Sequence, residues 1–252
     1  MTNPTDSSSS RPTRDQLYKE QPADGPFEFS EAVAQVFPDM LARSVPGYRT
    51  TLATIGAIAG RYAQPGTRCY DLGCSLGAAT AAMRSAIPHA ETSLVAIDNA
   101  PAMVNRCRER FADAGAGCPV EVKEADITQA EVSQASVVVL NFTLQFVPLA
   151  ERDDLIRRIA TGMVSGGVLL LSEKVLLDDP ASDALFADLH HAFKASQGYS
   201  RLEIARKRSA LENVLIRETL QAHKERLTGA GLARCEVWFQ CFNFASLMAF
   251  RP

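Results

Sequence analysis

The segment Tyr70-Asp71-Leu72-Gly73-Cys74-Ser75-Leu76-Gly77 concentrates the residue types and spacings that carry chemistry in this chain. An aliphatic run that ends in glycines and then opens a helix lets backbone approach a ligand closely, and free amides at a helix start favour polar or anionic groups. Three chemistries fit such a loop. As a dinucleotide fingerprint it is incomplete, because Ser75 and Ala78 stand where G-x-G-x-x-G needs glycine. As a nucleophile elbow, Gly73-Cys74-Ser75-Leu76-Gly77 satisfies G-x-S-x-G with Asp and His residues downstream. That fold, however, puts several strands and a His-Gly-Gly oxyanion segment ahead of the elbow, and neither precedes it here. As a loop for a nucleoside-type cofactor it gains support from polar residues at successive strand ends. Asp98 lies 27 residues after Asp71, at the tip of an aliphatic run where a carboxylate can accept two hydrogen bonds from ribose hydroxyls. Asp126 follows the third such run, placed to take the exocyclic amine of an adenine, and Asn141 ends the fourth. Singly, each reads better as a cap or turn former. Together, four polar residues at four strand ends point to a ligand at the carboxyl edge of a sheet.

The elements that must hold these residues alternate short aliphatic runs with amphipathic stretches, as βαβ units do. Strands are expected at 68–72, 93–98, 120–124, 136–141 and 168–173, with helices at 77–87, 101–113 and 149–163; Pro101 stands at a first helical position. Residues 27–64 form a helical lead-in broken at Pro46-Gly47, and 181–228 read as consecutive helices without a strand. Two closing runs, 233–239 and 245–250, suit an antiparallel edge pair. Residues 1–26 are Pro/Ser-rich and polar, a composition expected to stay disordered, which leaves 27–252 as a single catalytic domain.

Composition narrows the function classes. Of 252 residues, 46% are hydrophobic and 22% charged, as in ordinary folded proteins. Lys and Arg number 26 against 29 Asp and Glu, a net charge of −3, and so direct nucleic-acid binding is not expected. No apolar run approaches membrane-spanning length and the N-terminal stretch lacks the apolar core of a signal peptide, from which a cytoplasmic location is expected. Cys69, Cys74, Cys107, Cys118, Cys235 and Cys241 include no C-x-x-C pair, so free thiols and no metal are expected.

The arrangement of strand-end residues resembles the S-adenosylmethionine-dependent methyltransferase fold across about residues 48–250, and the helical excursion with its terminal strand pair fits that family's last two strands. The resemblance implies a Rossmann-like, seven-stranded, mostly parallel α/β sheet with a helical insertion before the last two strands. Five blocks narrow it: VAQVFPDM at 33–40, RSVPGY at 43–48, VLNFTLQF at 139–146, KRSALENV at 207–214 and WFQCFNF at 238–244 resemble the carboxy-S-adenosyl-L-methionine synthases. The longer N-terminal tail departs from that family. By resemblance, the chain would convert S-adenosyl-L-methionine and prephenate to carboxy-S-adenosyl-L-methionine and phenylpyruvate without a metal. The product would then supply a partner enzyme that carboxymethylates tRNA wobble uridines. The family's cofactor contacts carry over onto Tyr48, Gly73, Cys74, Ser75, Asp98, Asn99, Asp126, Ile127, Asn141 and Arg208. A homodimer is implied, with the helical arm contributing to a neighbour's site. The family's chemistry lets hydroxide expelled as prephenate aromatises deprotonate the sulfonium methyl, and the resulting ylide captures the carbon dioxide released.

Arg208 is the residue expected to act in catalysis. Ile204, Leu211 and Leu215 stand at i−4, i+3 and i+7 from it, which on a continuous helix puts its guanidinium among aliphatic side chains where it needs an anion. An ion pair with Glu203 or Glu212 is one partner; the carboxylate of the product, gripped by a planar fork, is the other. Arg201, Arg206 and Lys207 read as a solvated basic face. His190, His191 and Tyr199 receive no catalytic task, although Tyr199 lies close enough to the basic helix to contact substrate. Two rivals remain: a small-molecule methyltransferase on the same fold, and a non-catalytic S-adenosylmethionine-binding partner of a tRNA-modifying complex. Asn141-Phe142-Thr143-Leu144 lacks the prolines of N-P-P-Y base methylases.

Overall fold

The computed structural model describes residues 13–20, 27–113, 115, 117–212 and 214–252. A short helix α1 (Leu17–Glu20) and two longer ones, α2 (Glu31–Ser44) and α3 (Tyr48–Tyr62), lead into the sheet. Then follow β1 (Arg68–Leu72), α4 (Ala78–Ala86), β2 (Ser93–Asp98), α5 (Pro101–Arg110), β3 (Val120–Glu124), β4 (Ala135–Asn141), a 3-10 turn at Leu144–Phe146, α6 (Leu149–Gly162) and β5 (Met163–Lys174). Helices α7 (Pro180–Ser196), α8 (Arg201–Leu211) and α9 (Leu220–Gly229) form the insertion, and β6 (Ala233–Cys241) and β7 (Phe244–Phe250) close the chain.

The sheet order is β3-β2-β1-β4-β5-β7-β6, with β1 to β5 mutually parallel and β7 antiparallel to both β5 and β6. Chain direction across the sheet reverses between β1 and β4, which opens a crevice at their carboxyl ends. Strand β4 is buried along Ala135 to Leu140 because helices cover both faces, and its side chains sort with period two. Val138 and Leu140 pack with Leu155, Ile159 and Leu171 on one face. Val137 and Val139 pack with Ile55, Met83 and Leu170 on the other. This is the methyltransferase-type Rossmann-like architecture, mostly parallel with an antiparallel end.

A third apolar cluster positions the site. Phe27, Val33, Val36 and Met40 meet Met103 of α5 and Ala210 of α8, which brings the lead-in and the insertion together over the crevice. Ser30 caps α2 by accepting from the Val33 amide, and Ser200 and Glu203 form a reciprocal capping box that fixes where α8 starts.

Two expectations change, and a third is met. Strand β5 begins at Met163, five residues before the apolar run that marks it, because its register slips against β4 between Ala135 and Val137 and accommodates Gly166 and Gly167. The closing strands form the expected antiparallel pair at the end of the sheet: β7 lies beside β5, where its near-continuous apolar run is buried, and β6 takes the edge. Residues 13–20, grouped by composition with the disordered tail, pack against the insertion: Asp15 is buried and accepts the Tyr199 hydroxyl hydrogen bond, while the Arg43 guanidinium covers the Tyr199 ring. That contact occupies Tyr199, which is therefore structural. The rest of the expected tail, 1–12 and 21–26, lies outside the described residues.

Candidate functional site

A cavity of about 670 Å³ opens at the carboxyl ends of β1, β2 and β4, within the range of about 300–1,000 Å³ usual for small-molecule sites. Nine of the ten expected contact residues line it: Tyr48, Gly73, Cys74, Ser75, Asp98, Asn99, Asp126, Ile127 and Asn141. They arrive from the start of α3 and from the ends of four strands, so the sheet topology assembles them.

The glycine loop is held from within. The amides of Gly73 and Cys74 both donate to the Ile97 carbonyl, at 2.8 and 3.0 Å, the Gly77 amide donates to Cys74 at 2.8 Å, and the Ser75 amide donates to Asp98 Oδ2 at 2.8 Å. These amides are thus already used, and the loop offers a ligand close backbone approach in place of the free donors its sequence suggests. Gly73 shows why no side chain is tolerated: its φ is +80°, and a Cβ there would lie 2.3 Å from a Thr143 methyl. Asp71 does not reach outward; its Oδ2 accepts from the amide and hydroxyl of Thr80, at 2.9 and 2.6 Å, and so fixes the first turn of α4. Burial pushes its carboxyl up to about 6. Burial also raises Asp98, against the stabilising pull of the Ala100, Ser75 and Asn99 amides.

Asp98 keeps lone pairs beyond those it shares with Ser75 and Ala100, and Asp126 Oδ2 is left open when Oδ1 accepts from the Thr128 amide at 2.8 Å. Asn141 Oδ1 is buried without a hydrogen-bond partner among the described residues. An orphaned acceptor, two presented carboxylates and a backbone stripped of side chain at Gly73 fit a nucleoside with ribose and amine donors. Tyr48 adds a phenol whose ionisation burial pushes upward, with Asp71 adding to the effect. Behind Asn141, fully buried Glu173 accepts from the Leu144 and Gln145 amides, each at 2.9 Å, and locks the 3-10 turn that follows the strand. The Ser75 hydroxyl points to Met103 Sδ at 3.3 Å, not to a histidine, so the nucleophile-elbow geometry is not formed.

Arg208 is not brought to this cavity. It is exposed and lines a separate depression with His191, Ala192, Ala195, Arg201, Ile204 and Ala205. Helix α8 ends at Leu211, so the i+7 position used to place Arg208 lies outside the helix. The buried positions Glu203, Ile204, Lys207 and Ala210 define its inner face. One residue is 100° of rotation, and it is Lys207 that turns inward. Lys207, expected on a solvated face, is only 7% exposed and lines the cavity. Arg206 donates to the Tyr18 and Lys19 carbonyls. Lys174, Lys194 and His190 also line the cavity; the two lysines draw no reading from the sequence, and His190 is given no catalytic task there. The available signal was positional: Lys174 directly follows the β5 run, and Lys194 stands one helical turn after His190.

Comparison with known proteins follows this geometry. A methyltransferase-domain family model matches residues 70–167. The carboxy-S-adenosyl-L-methionine synthase of Sodalis glossinidius (strain morsitans) is 50% identical over 240 residues, covering 95% of this chain and 97% of that protein. The one of Geobacter sp. (strain M21) is 54% identical over 226 residues, covering 89% and 93%. Among solved structures, an O-methyltransferase family protein from Burkholderia thailandensis matches with a TM-score of 0.62 at 19% identity, over 88% of this chain and 60% of that one. The chain thus spans about three fifths of that structure, and the likeness is one of fold.

Proposed function

We propose that this chain, an enzyme that belongs to the carboxy-S-adenosyl-L-methionine synthase family, takes prephenate as its carboxyl donor and releases phenylpyruvate. The observation that carries the reading is the convergence of nine family contact positions on one cavity, in a chain half identical to synthases over nearly its full length. Asp98 would hold the ribose hydroxyls of S-adenosylmethionine, Asp126 with Ile127 the adenine, and Asn141 the donor that satisfies its buried Oδ1. Tyr48 and the Gly73–Ser75 loop would shape the wall around the methionine portion.

The bond changes balance without a metal or an external oxidant. As the prephenate ring aromatises it loses carbon dioxide and hydroxide; hydroxide takes a proton from the sulfonium methyl, giving water, and that carbon bonds to carbon dioxide. The protein's share is to hold the two substrates in contact, to exclude bulk water and to stabilise charge at the reacting carbon. Phe29, Phe142, Phe146 and Phe244 supply the apolar wall that this requires. Arg208 would meet the new carboxylate from a second copy of the chain, in a homodimer, because it lies outside its own chain's cavity. Normal carboxyl transfer by Arg208→Leu at saturating prephenate would overturn that role, and a purely monomeric sedimentation profile would overturn the arrangement.

The product would serve a tRNA uridine carboxymethyltransferase in the cytoplasm. A chain of net charge −3 fits the supply of a small molecule with the RNA left to that partner. Among the described residues no helix is long and apolar enough to cross a membrane. The test is to incubate the purified chain with S-adenosylmethionine and prephenate and to analyse the products by mass spectrometry. Carboxylated S-adenosylmethionine with phenylpyruvate is expected; a methylated acceptor in its place would overturn the reading.

A further inference from the structure

The insertion and the end of β5 line the cavity with positive charge that the nucleoside half does not use. Lys194 and Lys207 are 8% and 7% exposed, and neither they nor Lys174 form an ion pair among the described residues. Lys207 Nζ has one hydrogen-bonding contact, the Ser44 hydroxyl at 3.3 Å, and Lys174 Nζ lies 5.8 Å from the centre of the Phe244 ring. Shared neighbours tie the group together. His190 Nε2 bonds the Ser44 carbonyl at 2.7 Å, the His190 ring packs on Phe244 at 4.8 Å, and Lys194 follows His190 by one turn of α7. Burial depresses both Lys174 and Lys207, and Lys194 lies close enough to depress each of them further.

A structural cation in the same molecule is treated differently. Arg152, fully buried, pairs with Glu218 and donates to the carbonyls of Val147, Gln145 and Ile216. Burial of an unpaired ammonium is costly, and three facing one cavity leave a cationic site that a ligand must complete.

We propose that Lys174, Lys194 and Lys207 receive the two carboxylates of the carboxyl-donating substrate, a ring-bearing dianion. Phe142 and Phe244, in edge contact at 5.9 Å, border its ring. This assignment rests on the proposed reaction and adds to it a location distinct from Arg208. It also accounts for turnover: when one carboxylate departs as neutral carbon dioxide, the remaining monoanion satisfies less of the lysine charge, and product is held more weakly than substrate.

The test measures steady-state rates with each substrate varied in turn, together with S-adenosylmethionine binding by calorimetry, for wild type, Lys194→Gln, Lys207→Gln and Lys194→Arg. Each Gln variant is expected to raise KM for prephenate at least tenfold while the Kd for S-adenosylmethionine stays within twofold, and Lys194→Arg to recover most of the loss. Unchanged prephenate KM in the Gln variants, or loss of S-adenosylmethionine binding alongside it, would assign the lysines to structure and overturn the proposal. Failure of the wild type itself to use prephenate would instead overturn the reaction on which the proposal rests.

Discussion

The two walls of the cavity are prepared in opposite ways. On the strand-end wall, Asp71, Asp98 and Asp126 have backbone or hydroxyl donors before any ligand arrives, so the carboxylates are oriented and the loop is rigid. On the wall made by the insertion and the end of β5, Lys174, Lys194 and Lys207 form no ion pair among the described residues; Asp183 near Lys174 and Asp15 and Asp39 near Lys207 offset only part of the cost of burial. In the proposed reaction, preorganisation would bind the nucleoside, and unsatisfied charge would select the dianion and release its smaller product. One wall should therefore contribute to stability without ligand, and the other should detract from it.

The largest effect should come from Asp98→Ala, which removes the acceptor for the Ser75 and Ala100 amides as well as the proposed ribose contact. Hydrogen bonds to charged groups contribute about 1.5–3 kcal/mol each, so S-adenosylmethionine affinity should drop at least hundredfold in calorimetry, with lower thermal stability. Lys207→Met should do the reverse to the ligand-free chain and stabilise it by about 1–4 kcal/mol in chemical denaturation, the range found when a buried ion pair gives way to packed apolar groups.

That gain should depend on pH in a defined direction. Burial, with Lys194 and Arg43 opposing the pull of Asp15 and Asp39, pushes Lys207 down to about 7, below its ordinary value near 10.5. The unfolded chain therefore binds the extra proton between those values, and the lysine's penalty is complete below about pH 7 and fades as pH rises toward 10.5. The stability difference between wild type and Lys207→Met should shrink across that window and shrink also when prephenate is added. A pH-independent difference would remove the unpaired ammonium from the account.

Asn141→Ala should separate binding from stability on the other wall. Its Oδ1 has no partner to lose among the described residues, so stability should change little, while S-adenosylmethionine affinity falls about tenfold, or roughly 1.4 kcal/mol. The smallest effect on stability belongs to exposed Arg208: Arg208→Leu should stay within about 0.5 kcal/mol of wild type in denaturation. Its effect, if it acts across a dimer, belongs to carboxyl transfer alone.

The strand-end wall was legible in the sequence because it is written in short-range signals. The runs ending at Leu72, Asp98 and Asn141 mark their own strands, and polar residues at the ends of a parallel sheet converge by topology. The insertion wall was not, because which face of a helix turns inward depends on packing partners far along the chain. Arg208 and Lys207 are neighbours in sequence, and the choice between them was decided by Ala210 meeting Phe27 and Met40 of the lead-in. The placement of β7 between β5 and β6 was likewise hidden, since the order of two antiparallel strands leaves no local trace. Asp15, buried under Tyr199 from within a polar segment, shows the limit of composition as a guide to order.

The central claim is that a carboxylate leaves one bound molecule and joins the methyl carbon of another inside this cavity. Prephenate labelled with carbon-13 in the ring carboxylate, incubated with the chain and S-adenosylmethionine and followed by mass spectrometry, tests it most directly. The account predicts carboxy-S-adenosylmethionine carrying the label, with unlabelled phenylpyruvate in equal amount. Phenylpyruvate formed without a labelled cofactor, or a carboxylated cofactor without label, would contradict it.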